Sequence, residues 1–168
     1  MPGSDYLPEG TIIRLQSRYS DGKLVFANGF ELGGKTQKVG VYSGKTATLS
    51  GTVSDETGSG VLAVTGNLDF AGTLEVAAAN IAAGVAMVTV SGDLSFAAGA
   101  TVRLPASVTV ADLAAYKDAG LPLFTVAGAV TGVPALDAPG LGGVWCLRVK
   151  SNGTVSLVKP RGTTFIIR

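Results

Sequence analysis

The amino-acid sequence predicts an all-β protein, and the arrangement that fits it best is a short parallel β-solenoid with one small helix near residues 110–119. Two observations favour this fold class. One is an internal repeat with a fixed spacing, which is typical of stacked supersecondary units. The other is a composition rich in Gly, Val, Thr and Ser, with short alternating segments between turn signals. Such a composition favours β-strands and tight turns.

The repeat is clearest between residues 64 and 104. The segment Val64-Thr-Gly-Asn-Leu-Asp-Phe-Ala-Gly-Thr-Leu-Glu-Val76 returns as Val90-Ser-Gly-Asp-Leu-Ser-Phe-Ala-Ala-Gly-Ala-Thr-Val-Arg-Leu104. The two glycines near the start of the copies, Gly66 and Gly92, stand 26 residues apart. A fainter third copy is predicted at Gly29-Phe-Glu-Leu32.

The side-chain pattern of each copy predicts how the copies stack. Leu-x-Phe puts two large apolar side chains on one face of a strand, because side chains alternate along a strand. One such unit cannot bury its apolar face alone, so neighbouring units must stack to make a core. We therefore expect two ladders inside the protein, Leu68 with Leu94 and Phe70 with Phe96.

Glu75 and Arg103 occupy equivalent positions of the two copies and alternate with apolar residues. Their side chains are therefore expected to face solvent on adjacent units. An ion pair between them would contribute at most about 1 kcal/mol. This pattern indicates a scaffold.

Further short strands are predicted outside the repeat from alternation and from flanking turn residues. Residues 8–14 are predicted to form a turn followed by a short strand, and the other strands fall at residues 23–27, 38–42, 46–53, 61–64, 85–90, 123–126, 144–150, 154–158 and 163–168. The polar, glycine-bearing segment Ser54–Gly60 is predicted to be a loop. Residues 76–83 fit a helix or a strand, and their position between the two copies favours a strand or turn.

The one predicted helix follows the second copy of the repeat. Thr109 and Asp112 have the spacing of a capping box, and helix-forming residues run from there to 119. Gly120 stands where a helix is commonly terminated, and Pro122 follows it. We expect this helix to cover one flank or end of the β-structure.

A hairpin is predicted near the C-terminus, where Ser151-Asn-Gly153 separates two strand-like segments. Asn-Gly is the strongest short signal for a two-residue hairpin turn. Because a hairpin is antiparallel, a β-sandwich or jelly roll built from the same strands is the alternative fold.

Length and composition limit the domain organisation and the classes of partner. Residues 6–168 are expected to form a single all-β domain, as a fragment of a larger repeat protein, after a disordered or cloning-derived terminus at 1–5. The net charge is +1 and no basic stripe is visible, which argues against nucleic-acid binding. The apolar runs are too short to span a bilayer, so no membrane insertion is expected.

The residue types present argue against an enzyme. The chain has no histidine and a single cysteine, Cys146, which is expected to be an apolar strand residue. A nucleophile without a base and a metal site without histidine are both disfavoured. The sequence therefore predicts no catalytic, cofactor-binding or metal-binding residue. The scattered acidic residues are expected to be solvated or to lie in turns: Asp55, Glu56, Asp69, Glu75, Asp93, Asp112 and Asp118.

One segment matches a nucleotide-binding pattern. Gly29-Phe-Glu-Leu-Gly-Gly-Lys-Thr36 satisfies G-x-x-x-x-G-K-[ST], the phosphate loop. That chemistry needs a helix directly after the loop, with its N-terminus facing the phosphates. The residues that follow are strand-like and broken by glycine, so we interpret the match as chance.

The aromatic residues are candidates either for sugar binding or for core packing. Exposed rings can stack on sugars, but the candidates are scattered along the chain, and core packing is the favoured interpretation. The candidates are Tyr6, Tyr19, Tyr42, Tyr116 and Trp145.

Several segments resemble a known family. Thr48-Leu-Ser-Gly-Thr-Val53, Gly58-Ser-Gly-Val-Leu-Ala-Val-Thr-Gly66 and Leu68–Val76 resemble the autotransporter-associated β-strand repeats of large bacterial surface proteins. Residues 145–162 are similar to the C-terminal ends of such proteins. The resemblance implies a right-handed parallel β-helix, an extracellular or cell-surface location and a structural or adhesive role, and it supplies no catalytic residues.

These expectations name partners as well. Neighbouring repeats of a longer parent chain or head-to-tail self-association are expected, because solenoid ends expose strand edges. Surface glycans are a further candidate. The alternative functions are a carbohydrate-binding module and a non-catalytic remnant of a polysaccharide-acting β-helix.

Overall fold

The polypeptide winds through five successive coils, and each coil supplies one strand to each of three sheets. The computed structural model describes residues 12–15, 24–42 and 44–160. Expectations for residues 1–5 and 163–168 lie outside these described residues. The coiled path confirms a parallel β-solenoid, and the sandwich or jelly-roll alternative is wrong because every sheet is built mainly of parallel neighbours.

The strands recur in the same order in each coil. They are β1 (Ile12–Leu15), β2 (Leu24–Phe26), β3 (Phe30–Glu31), β4 (Thr36–Val41), β5 (Thr46–Leu49), β6 (Thr52–Ser54), β7 (Val61–Thr65), β8 (Asn67–Phe70), β9 (Thr73–Glu75), β10 (Val88–Val90), β11 (Leu94–Phe96), β12 (Thr101–Arg103), β13 (Leu121–Val126), β14 (Val130–Thr131) and β15 (Ala135–Asp137). The first strands of the coils form sheet A, the second strands sheet B and the third strands sheet C. A helix, α1 (Ala78–Ala83), lies between β9 and β10.

The predicted ladders form the core of sheet B. Leu68 pairs in register with Leu94, and Phe70 pairs with Phe96. Phe96 is partly buried, and the other three side chains are buried. Burial of an aliphatic or aromatic side chain of this size contributes about 1.5–3 kcal/mol.

A third aromatic ring, which the repeat does not indicate, enters this ladder from sheet A. The ring of Phe124 lies edge-on to Phe70, with centroids 5.4 Å apart, and edge-on to Phe96, with centroids 5.1 Å apart. Edge-to-face pairs of this kind add about 0.5–1.5 kcal/mol beyond area burial. The three rings therefore join two sheets of the solenoid.

The fainter third copy, Gly29–Leu32, corresponds to the Leu74-Glu-Val76 part of the repeat, because Phe30 stacks through Val53 on Leu74. This copy therefore lies in sheet C, whereas Leu68 and Phe70 belong to sheet B. The equivalents of those two residues one coil earlier are Ala47 and Leu49. Substitution of Ala for Leu in this strand hid the relationship.

Close backbone packing explains the glycines of the repeat. The amide of Gly92 donates to the carbonyl of Gly66 at the corner between sheets A and B, and a Cβ on Gly92 would lie 2.6 Å from that carbonyl. At the corner between sheets B and C, a Cβ on Gly72 would overlap the carbonyl oxygen of Gly51. Gly51 also divides the predicted strand 46–53 into β5 and β6.

The favoured interpretation of residues 76–83 as strand or turn is wrong, because α1 occupies this segment. The side chain of Asn80 accepts the amide of Ala77 at 2.8 Å, which satisfies one donor at the start of the helix. Gly84 ends the helix with φ 66° and donates to the carbonyl of Asn80. Ile81 faces the core, where it is buried.

The segment near 110–119 forms turns around a short 3₁₀ helix, Ala114–Tyr116. The predicted capping contact is present, since Thr109 donates its amide to Asp112 at 2.7 Å. Gly120 ends the segment with φ 76°. Leu113 is buried in the core, so the segment covers a flank of the solenoid as expected.

Two antiparallel strands follow coil 5. The strand β16 (Cys146–Val149) pairs with β17 (Thr154–Val158), and β17 pairs with β13, so the predicted hairpin is confirmed. The side chains of Leu141, Trp145, Val155 and Leu157 are buried there. The hairpin and the segment that precedes it therefore close the C-terminal end of the core.

Within the described ranges, no helix has the length and apolar character that a membrane span requires.

Candidate functional site

The three corners of the solenoid differ greatly in length. Between sheets C and A the chain uses residues 32–35, 55–60, 76–87, 104–120 and 138–145, and we call these segments together the loop corner. The other two corners are short in coils 2–5. Loops positioned by a rigid scaffold are where binding residues concentrate, so the loop corner is the first place to search for a site.

Asp55 is the centre of the loop corner. Its side chain is only 1% exposed, so of the two expectations for the acidic residues, solvated or in a turn, Asp55 meets the second. Its carboxylate accepts hydrogen bonds from four backbone amides, one hydroxyl and one side-chain amide. The donors are Gly34 N (2.8 Å), Thr57 N (3.3 Å), Thr57 Oγ1 (2.7 Å), Gly58 N (3.0 Å), Gly60 N (2.6 Å) and Asn80 Nδ2 (3.3 Å).

These donors determine the charge state of the carboxyl group. Burial alone would raise the pKa of Asp55, because a low-dielectric environment disfavours the charged form. Hydrogen bonds from the hydroxyl of Thr57 and from the amides of Gly60, Gly34 and Thr57 outweigh burial and lower the pKa below 3.8. Asp55 is therefore a buried anion held by donors, and its role is to join loops.

The phosphate-loop match, Gly29–Thr36, contributes one donor to Asp55. Thr36 begins strand β4, so no helix follows the glycine pair, and the geometry of a phosphate loop is absent from this described segment. Gly33 and Gly34 both have positive φ, and their amides point at carboxylates of the chain itself. Gly33 donates to Glu31, and Gly34 donates to Asp55.

A row of polar residues runs along the outside of sheet C. We call it the acidic column, and it consists of Glu31, Ser54, Glu75, Arg103 and Asp137. Arg103 confirms the predicted pairing with Glu75 at 3.4 Å and also bonds to Asp137 at 3.1 Å. All three side chains are about half exposed, so each pair adds little stability.

An open groove of about 280 Å³ lies between the acidic column and the loop corner. Its lining includes the carboxylates of Glu31, Glu56 and Glu75. Glycoside hydrolysis needs two carboxyl groups that face each other across the scissile bond. Here Glu31 accepts the hydroxyl of Ser54 at 2.6 Å, and Glu75 accepts Arg103, so both carboxylates connect neighbouring coils.

Two acidic residues on or directly beside sheet B, Asp69 and Asp93, are used in the same way. Asp69 accepts the hydroxyl of Ser95 from the next coil at 2.9 Å. Asp93 accepts the amide of Ala129 at 2.8 Å, and its own amide donates to the side chain of Asn67. Each carboxylate therefore joins successive coils.

A second, shallower groove lies between α1 and the 110–119 segment. Its lining includes Ala78, Ile81, Asp112 and Tyr116. The hydroxyl of Tyr116 donates to the carbonyl of Ile81, which ties the two segments together. Thr109 donates two hydrogen bonds to the exposed Asp112, and they lower its pKa below 3.8. The bond from the amide has the larger effect, and the bond from the hydroxyl the smaller.

The structure gives the burial of most of the predicted aromatic residues and of the cysteine. Trp145 is buried, which confirms core packing, and Tyr116 is partly buried. Tyr42 is 46% exposed, and Tyr6 and Tyr19 lie outside the described residues. Cys146 is a half-buried residue of β16 with a free thiol. These positions bring no row of aromatic rings together among the residues described.

In the parts of the chain that the structure describes, no group of three or more His, Cys, Asp or Glu side chains could hold a metal ion. The fold places this chain in the class of parallel β-solenoid proteins. Comparison with protein-family models, with curated proteins and with solved structures finds no match.

Proposed function

We propose that this chain is a non-enzymatic structural or adhesive segment of an exported bacterial surface protein. The observation that carries the proposal is the use of its polar residues. Carboxylates on sheets B and C and at the loop corner accept donors from adjacent coils, as Asp55, Asp69 and Arg103–Glu75 illustrate. Because these side chains bond to neighbouring coils, they stabilise the stack of coils, which is the role of a scaffold.

The family resemblance supports the location. The segments that resemble autotransporter-associated repeats, Thr48–Val53, Gly58–Gly66 and Leu68–Val76, all lie in coils 2 and 3 of the solenoid. They include β7, β9 and most of β6 and β8, which stack in parallel register with their neighbours. A solenoid of this kind serves as a spacer because each added coil lengthens it by one strand spacing, about 4.8 Å.

The location is tested on cells of the organism that encodes the chain. Intact cells are treated with a protease that cannot enter them, and the protein is detected with an antibody raised against residues 44–160. The expected result is loss of the signal from intact cells while a cytoplasmic marker persists. Detection only after cell lysis would contradict an exposed location.

The non-enzymatic role is tested separately with a glycan array and a panel of polysaccharide substrates. We expect neither selective binding nor release of reducing ends. Tyr42 is the only exposed aromatic side chain among the residues described, so Tyr42→Ala is the informative variant if binding occurs. Strong sugar binding that this change abolishes would establish the carbohydrate-binding alternative in place of a purely structural role.

A further inference from the structure

The two ends of the solenoid are built differently. At the N-terminal end, β1, β2 and β3 are the last strands of sheets A, B and C, and each pairs on one side with a strand of coil 2. All three belong to the first coil, so their outer edges lie at the same level. Within residues 12–15, 24–42 and 44–160, no strand pairs with those edges.

The apolar side chains of this coil are incompletely covered. Ile13, Leu24 and Phe26 occupy core positions but are only partly buried. The residues that follow them in the same columns of coil 2 are almost fully buried: Val39 (3% exposed), Ala47 (1%) and Leu49 (2%). Unpaired strand edges around an apolar centre form a template for another set of strands.

The C-terminal end is a poor complementary surface for this coil. Within the described residues, which end at 160, sheet A continues for two antiparallel strands beyond β13, whereas sheets B and C end at β14 and β15. The three outer edges are therefore staggered, and the buried side chains of Trp145 and Leu157 close the core. As far as the described strands go, the first coil of another molecule would not meet all three edges there at one level, so this end matches the N-terminal end poorly.

We propose that the N-terminal end is an interface between two copies of this chain, arranged end to end about a twofold axis. When identical coils face each other, their strands run in opposite directions, so β1 pairs antiparallel with β1 of the second copy and β2 with its β3. Such an interface is self-complementary and closes at two copies. The inference depends on the fold and not on the proposed surface location.

The test is sedimentation equilibrium of the full chain from micromolar to near-millimolar concentration. We expect a monomer–dimer equilibrium with no larger species. Leu24→Lys places a charge inside the interface, whereas in the monomer the long side chain reaches solvent through the open end. The dimer should then be about tenfold weaker or more. Leu147→Lys, a matched change at a half-buried leucine of the other end, should leave dimerisation unchanged.

Three results would overturn the proposal: a monomer at every concentration, assemblies that grow beyond two copies, or equal weakening by both variants. Amide hydrogen exchange in the unmodified protein provides a second readout. Amides of β1, β2 and β3 should exchange more slowly at high protein concentration, while those of β16 do not change. Concentration-independent exchange at the first coil would contradict the interface even if Leu24→Lys failed to fold.

Discussion

The side-chain amide of Asn80 donates to the carboxylate of Asp55 across 3.3 Å, and this contact joins the loop after coil 3 to the loop after coil 2. The same carboxylate accepts the amide of Gly34 at 2.8 Å, from the loop after coil 1. One buried side chain therefore connects three successive turns of the solenoid. Parallel strand pairing holds the coils together within each sheet. Asp55 holds together the loops that follow coils 1, 2 and 3 at the loop corner.

Removal of this carboxylate should destabilise the protein strongly. Asp55→Ala leaves the buried amides of Gly58 and Gly60 and the partly buried amide of Gly34 without an acceptor, and each unsatisfied buried donor costs about 1–3 kcal/mol. We expect a loss of about 3 kcal/mol or more in the free energy of unfolding, measured by urea denaturation. The adjacent Glu56→Ala changes an exposed residue and should cost less than about 0.5 kcal/mol. Equal effects of the two changes would contradict the assigned role.

The pKa of Asp55 predicts acid sensitivity. It is lower in the folded protein than the ordinary value of 3.8, so the folded state binds this proton less tightly than the unfolded chain. The stabilisation is complete above the ordinary pKa and is lost as the pH falls through the folded value. The urea concentration at the unfolding midpoint should therefore decrease as the pH is lowered below about 4.

Asp112 contributes with the same sign because its pKa is also lowered. Asp112→Asn and Asp55→Asn, examined separately, divide the acid dependence between the two carboxyl groups. Asp55→Asn should flatten the dependence of the unfolding free energy on pH below 4. An unchanged slope in that variant would show that Asp55 does not carry the effect.

The aromatic cluster predicts unequal costs for two similar changes. Phe70 is fully buried and lies edge-on to both Phe96 and Phe124, so Phe70→Ala should cost about 3–5 kcal/mol in unfolding free energy. Phe96 is partly exposed, because the residue that lies against it in coil 5 is Gly132, which has no side chain to cover the ring. Phe96→Ala should therefore cost less, about 1.5–3 kcal/mol. Thermal or urea denaturation of both variants checks the order.

Stacked glycines predict a sharp steric effect. A methyl group on Gly72 would overlap the backbone carbonyl of Gly51, so Gly72→Ala must move two coils apart and should cost at least about 3 kcal/mol. Gly99 lies at the same corner one coil later, with φ 94° and nothing within 4 Å of an added Cβ. Gly99→Ala should cost only the backbone strain of about 1–2 kcal/mol. Similar stabilities for the two variants would contradict the close approach.

The fold is predictable from the sequence between coils 3 and 4, where equivalent residues recur at a fixed interval. The sheet B core column runs through Leu24, Ala47, Leu68, Leu94 and Val130, so its intervals are 23, 21, 26 and 36 residues. Only the pair at 26 residues also keeps the same side chains, which is why Leu68 and Leu94 were recognised. Unequal corner loops put the other coils out of step, and Gly29–Leu32 keeps only the sheet C part of the pattern.

The centre of the loop corner was not predictable from side-chain patterns. Most donors to Asp55 are backbone amides, and amides leave no trace in the residue types around them. The spacing of Asp55 to Gly58 and Gly60 was the available signal, since glycine permits backbone amides to approach a carboxylate closely. Helix α1 was missed for a related reason, because its first amide is satisfied by Asn80 inside the helix.

The unequal corners have a consequence for how such a chain can change. The corner between sheets C and A holds 4, 6, 12, 17 and 8 residues in successive coils, while Gly66, Gly92 and Gly72 keep the other two corners at backbone contact. Sequence length can therefore grow at one corner without disturbing the strand register of any sheet. That corner is a natural grafting position, where a peptide inserted between Ala82 and Val85 would be displayed from a rigid stack at a known distance from either end.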